Sequence, residues 1–215
     1  MSKNRASLRI TSLEEHAPQT TQSNLTLKLK ALYKAGNTIP KLIEDPSVPT
    51  QKMDDYYVNL QILLNNKGER QEIEAKNIFD EVKEGDKQIQ GPASKILIIG
   101  GAGIGKTTFL HNIAYRWSGA SCEGEMFNDK FDYIFKVRLK LLIGNWNNIY
   151  GQDYLTNPLG CFIHYCLYQE AKVINQDLAP AKEEIFDALR SNKERTLLLL
   201  DGYDEVAHLT NRAGV

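Results

Sequence analysis

The chain has 215 residues, 42% hydrophobic and 25% charged, enough apolar material for the core of one ordinary domain with a modest extra segment. Its 26 basic and 27 acidic side chains nearly cancel to a formal charge of -1, which excludes bulk electrostatic attraction to nucleic acid or anionic membrane. No apolar run approaches the roughly 20 residues that cross a bilayer, the amino terminus lacks the apolar core of a secretory signal, and Cys122, Cys161 and Cys166 have no framework spacing. A soluble, cytoplasmic protein without disulfides is expected.

Residues 1–24, rich in Ser, Thr and Gln, read as an adaptable leader. In LTLKLKALYKAG, Leu25, Leu27 and Leu29 alternate as in a strand, while Leu25, Leu29 and Leu32 share a helical face; the reading favours a helix ended by Gly36. Pro46 and Pro49 mark 37–52 as a linker, so leader, helix and linker over 1–52 precede a main domain over 53–215. Val58, Leu60, Ile62 and Leu64 alternate as a short strand, NNKGE turns, and Ile73, Ile78, Phe79 and Val82 predict a helix. GDKQIQGPAS reads as a loop. KILIIG, residues 95–100, is a continuous apolar run that predicts a strand buried on both faces.

Phe109, Leu110, Ile113, Ala114 and Trp117 then recur at helical spacing up to Gly119. FDYIFKVRLKLL places Tyr133, Phe135, Val137, Leu139 and Leu141 on one face of a strand and Lys136, Arg138 and Lys140 on the other, which predicts a solvated basic face. Helices follow from about Leu155 to Lys172 and from about Ala181 to Ser191, and TLLLLDGYDE forms a second buried strand ending in acids. Strands alternating with helices, without internal repeats, imply parallel pairing in an α/β fold.

Between the predicted strand and helix, Gly100 to Thr107 match G-x-x-x-x-G-K-[ST], the phosphate-binding loop. Polyphosphate oxygens need several backbone N–H groups converging on one point, and a chain curls that tightly where Cβ is absent, as at Gly100, Gly101, Gly103 and Gly105. A helix beginning near Lys106 adds the positive end of its dipole. Lys106 supplies a point charge for the outer phosphates, and the Thr107 hydroxyl is a candidate ligand of Mg2+. A dinucleotide fingerprint starting at Gly101 and Gly103 fails, because its third glycine falls on Lys106.

The metal partner is expected at the end of Leu197–Leu200, where Asp201 emerges from the carboxyl end of a buried strand. Asp204 or Glu205 is then placed to orient or deprotonate an attacking water.

KILIIGGAGIGKTTFLHNIAYRW together with TLLLLDGYDE resembles the NACHT family of STAND-class signal-transduction ATPases, which includes the NOD-like receptors. Asp201, Gly202, Asp204 and Glu205 follow in order that family's pattern of hydrophobics, Asp, a small residue, any residue and a double acid. The resemblance, over about residues 54–210, implies a three-layer P-loop NTPase fold preceded by a small, partly helical segment. It implies that Gly100, Gly101, Ala102, Gly103, Ile104, Gly105, Lys106, Thr107 and Thr108 hold the phosphates of ATP or ADP as a Walker A motif. Asp201 of a Walker B motif would serve Mg2+ with Thr107, and Glu205 would be the hydrolytic acid, assisted by Asp204. Slow ATP hydrolysis would drive a regulatory switch between a closed monomer and an open oligomer, with self-association or a protein partner reached through regions outside the site. The family continues beyond the acid motif, so the module reads as incomplete at its carboxyl end.

Two other readings are weighed. A nucleotide-binding interaction module without turnover fits the same motifs, and so does a small-molecule kinase, although no arginine-rich lid is evident over 141–195 and the double acid points to water activation. Cys161, His164 and Cys166 lack the second ligand pair of a zinc site and read as helix core, and His111 reads as a polar, outward position. Tyr115, Trp117 and Trp146 are expected to pack, one of them with a chance of touching the base.

Overall fold

The computed structural model describes residues 23–38, 49, 51–57, 62–66, 69–80, 82–84, 87–90, 95–121, 126–144 and 146–210. Residues 1–22 of the leader, most of the linker, Cys122, and the alternating positions Val58 and Leu60 lie outside them.

Ser23 Oγ accepts the Thr26 N–H at 3.2 Å, and from this cap α1 (Asn24–Ala35) runs to Gly36. The helical period prevails over the alternating one: Leu25, Leu29, Leu32 and Tyr33 are buried, while Leu27 is 54% exposed. A single turn, α2 (Met53–Tyr56), follows, and its Met53 N–H donates to Asn37 Oδ1 at 3.0 Å.

Two antiparallel hairpins then replace the helix expected through 73–82. Strand β1 (Ile62–Asn66) pairs with β2 (Glu69–Ile73), placing Ile62 opposite Ile73, and β3 (Val82–Glu84) pairs with β4 (Lys87–Gln90) in the expected loop. Only Ala75–Asn77 are helical, as a 3-10 turn. Long-range partners override the spacing: Ile73 is held by the ladder, and Phe79 sits edge-on to Phe127 and Phe131 at 5.3 and 5.2 Å.

The buried strand expected over 95–100 is a second correction. These residues join no ladder, and Leu97 and Ile99 are 74% and 85% exposed. An apolar run needs a neighbour on its edge to become a strand; among the described residues the final strand, at 196–201, pairs with one neighbour only.

Beyond the loop, α3 (Lys106–Trp117) ends near Gly119, whose φ is 74°. Strand β5 (Tyr133–Arg138) comes next, a 3-10 turn over Leu139–Ile143 replaces the strand's expected continuation, and a second 3-10 turn follows over Trp146–Ile149. The helix expected from 155 is divided into α4 (Gln152–Thr156) and α5 (Pro158–Ile174): Asn157 caps the second segment by accepting the Gly160 N–H at 3.0 Å, and Pro158 opens it. Helix α6 (Lys182–Ser191), strand β6 (Thr196–Asp201) and helix α7 (Tyr203–Thr210) complete the described chain.

Strands β5 and β6 run parallel from Tyr133 opposite Thr196 to Arg138 opposite Asp201. Every residue from Tyr133 to Val137 is buried, so β5 is covered on both faces, the condition of a layered α/β fold. The solvated basic face is therefore corrected: Lys136 is 8% exposed. Leu29 and Leu32 of α1, Ile113 and Trp117 of α3, and Ile163 and Leu167 of α5 share one core with Ile134 and Phe135. Each such side chain contributes about 1.5–3 kcal/mol on burial. Helix α6 approaches α5 so closely that a Cβ on Gly160 would stand 2.5 Å from Phe186. The parallel pair delivers the carboxyl end of β6 to the amino end of α3, and the candidate site forms where they meet.

Candidate functional site

Gly105 precedes α3 with φ 97°, a left-handed conformation that costs an L side chain roughly 1–2 kcal/mol, and its carbonyl accepts the Phe109 N–H at 2.8 Å. Gly103 is left-handed as well, at φ 75°. The chain therefore turns sharply into a helix whose first-turn amides point away from the helix body, the arrangement that accepts an anion. Ala102 and Ile104 are exposed on the outside of this turn. Lys106 Nζ donates to the carbonyls of Gly100 and Gly101, at 2.8 and 3.0 Å. The ammonium thus lies across its own loop, where phosphate oxygens are better acceptors than neutral carbonyls.

The Thr107 hydroxyl donates to Asp201 Oδ1 at 2.9 Å, joining residues 94 positions apart. A hydroxyl and a carboxylate meeting beside a helix amino terminus are hard oxygen donors, suited to a cation such as Mg2+. Gly202 follows at φ 78°, and this turn starts α7 with Asp204 and Glu205 in its first turn, both exposed. The Glu205 carboxylate folds back over Gly202, where a Cβ would stand 3.1 Å from Oε1. The structure thus brings Thr107 and Asp201 into contact and sets Glu205 on the turn that follows Asp201.

One polar cluster escaped sequence reasoning. His111, read as outward, is 9% exposed: Lys136 Nζ lies 2.8 Å from its Nδ1, and its Nε2 lies 2.7 Å from the Gly36 carbonyl. Lys136 also donates to Glu170 Oε1 at 2.7 Å. Burial, and next the charge of Lys136, push His111 from its ordinary 6.5 down to about 4, against the opposing Gly36 carbonyl and Glu170. Burial, and next the Glu170 charge, raise the pKa of Tyr33, whose ring lies under the Lys136 ammonium. The available signal was a lysine inside the apolar run YIFKV.

The aromatic and sulfur side chains take packing positions. Trp117 is fully buried and donates to the Phe131 carbonyl at 3.0 Å, the Tyr115 hydroxyl reaches Asp54, and Trp146 sits among Tyr150, Tyr154, Phe162 and Tyr165. Cys161 and Cys166 are buried, and burial pushes the Cys166 thiol up to about 11.

Comparison with family models matches a NACHT domain to residues 94–213, more than half of the chain, from the phosphate loop to the acid strand. The chain belongs to the NACHT family. Comparison with curated proteins gives no match. NACHT membership carries the P-loop NTPase fold, in which Lys106, Thr107 and Asp201 occupy the junction between α3 and β6, and it makes this region a nucleotide-binding NTPase module. Among the described residues no helix is long and apolar enough to cross a membrane.

Proposed function

We propose that residues Gly100 to Thr108 bind the phosphates of ATP or ADP, that Thr107 and Asp201 hold the accompanying Mg2+, and that ATP is hydrolysed slowly as a regulatory, signalling switch. The contact of Thr107 with Asp201 carries this reading: it places two oxygen donors together beside a helix amino terminus, and a Mg2+ held by them would supply positive charge to offset that of the phosphates. Lys106 exchanges its two loop carbonyls for phosphate oxygens. Glu205, with Asp204 assisting, takes the proton of an attacking water once its carboxylate leaves Gly202. The buried free thiols of Cys161 and Cys166 support a reducing, cytoplasmic setting, and self-association or a protein partner would read the nucleotide state.

Phosphate release by wild type, Lys106→Ala and Glu205→Gln tests the hydrolytic step. Release well above both variants is expected; a wild type equal to both removes hydrolysis. The fold of Glu205 against Gly202 favours a second reading, an interaction module that holds nucleotide without turnover. Nucleotide binding that survives Glu205→Gln, with no release from wild type, selects it.

A further inference from the structure

His111 lies one turn beyond Thr107 on the phosphate-loop helix and reaches out of it to the carboxyl end of α1. Lys136 Nζ can only donate, so Nδ1 of His111 is the acceptor and the protonated Nε2 donates to the Gly36 carbonyl: the ammonium fixes the tautomer that grips α1. The Tyr33 hydroxyl, from the last turn of α1, donates to the Ile134 carbonyl at 2.8 Å and accepts the Lys136 N–H at 3.2 Å. Gly36 approaches α5 so closely that a Cβ there would stand 3.1 Å from Ile174 Cδ1. The end of α1 is thus fastened to α3, β5 and α5, and its apolar face is buried in their core. All of α1 lies outside the matched segment 94–213.

We propose that α1 is an integral, regulatory part of the nucleotide-binding unit, its docking coupled to nucleotide occupancy through α3 and the His111–Gly36 hydrogen bond. This rests on the nucleotide reading above. Phosphate seated on the first turn of α3 steadies the helix whose next turn holds Gly36, so nucleotide tightens α1. By thermodynamic reciprocity, docked α1 tightens nucleotide by the same factor. A protein partner that draws α1 away would release nucleotide without touching the phosphate loop.

Hydrogen exchange of the Leu29–Gly36 amides in the full chain, with and without MgADP, tests the coupling, alongside calorimetry of MgADP binding to wild type, His111→Leu and His111→Gln. MgADP is expected to slow α1 exchange about fivefold, the lower end of ordinary coupling. His111→Leu should bind MgADP about fivefold more weakly, and His111→Gln, which keeps a donor toward the Gly36 carbonyl, should retain most of the affinity. MgADP binding with α1 exchange unchanged, or His111→Leu at wild-type affinity, overturns the coupling while leaving the nucleotide reading intact. Folded wild type with no MgADP heat overturns both. If His111→Leu fails to fold, the wild-type exchange comparison decides alone.

Discussion

Acid should loosen this protein through His111 in particular. The imidazole meets Lys136 from β5 and the Gly36 carbonyl at the end of α1, and the charges of Glu170 from α5 and of Arg138 also act on it. A second proton on the ring would have to displace the Lys136 ammonium from Nδ1, leaving two cations against one carboxylate. Folded His111 therefore protonates near pH 4, whereas the unfolded chain takes the proton near 6.5. The sign follows from that order: the stability contributed by the neutral ring is fully present above about pH 6.5 and is lost as the pH falls toward 4. At about 1.4 kcal/mol per pH unit, the loss by pH 4 is about 3 kcal/mol, a large share of the 5–15 kcal/mol typical of a domain. Urea unfolding of wild type and His111→Gln at pH 7.5 and pH 4 measures it, because other titrating groups are common to both proteins. Wild type should lose about 3 kcal/mol more than the variant. Equal losses would refute a neutral, buried His111.

Further tests address the ion pair, the turn after β6 and the crossing of α5 and α6. Lys136→Met should cost about 3–5 kcal/mol in urea unfolding by stranding Glu170, and adding Glu170→Leu should restore most of it, since an apolar pair replaces a buried ion pair at little cost; a double variant no better than the single contradicts this. Gly202→Ala should cost about 1–2 kcal/mol, read as a lowered thermal midpoint, because φ 78° strains an L side chain, and its Cβ, 3.1 Å from Glu205 Oε1, should also nudge that carboxylate aside. Gly160→Ala should cost about 1–3 kcal/mol by pressing on Phe186, a loss that Phe186→Leu in the same chain relieves. Thr107→Ala should remove the Mg2+-dependent part of nucleotide affinity while leaving the Mg2+-independent part, measured by titration with and without EDTA.

What the sequence made legible is local. The glycine spacing of 100–105 and the helical period that follows define the turn into α3, and Leu197 to Asp201 mark β6, because both depend on residues close together in the chain. Even so, the contact of Thr107 with Asp201 is a tertiary fact, which depends on the parallel pairing of β5 with β6. The apolar run at 95–100 suggests a strand and forms none, because hydrophobicity favours burial without naming a partner strand. Ile73 and Phe79 depart from their helical spacing for a related reason: a ladder holds the one and an aromatic cluster the other. His111, Lys136 and Glu170 were missed as a group because the bonds lie 25 and 34 positions apart, and the link to Gly36 spans 75. Each residue alone looks like an ordinary exposed polar side chain.

The proposed function rests on one physical event, capture of a nucleotide's phosphates by the loop and Lys106. Isothermal titration of the folded chain with MgATP and MgADP, repeated on Lys106→Ala, measures that event directly. Saturable heat from wild type, weakened at least about tenfold in the variant through loss of a charge-assisted contact, is the predicted result. Folded wild type that takes up neither nucleotide would contradict it.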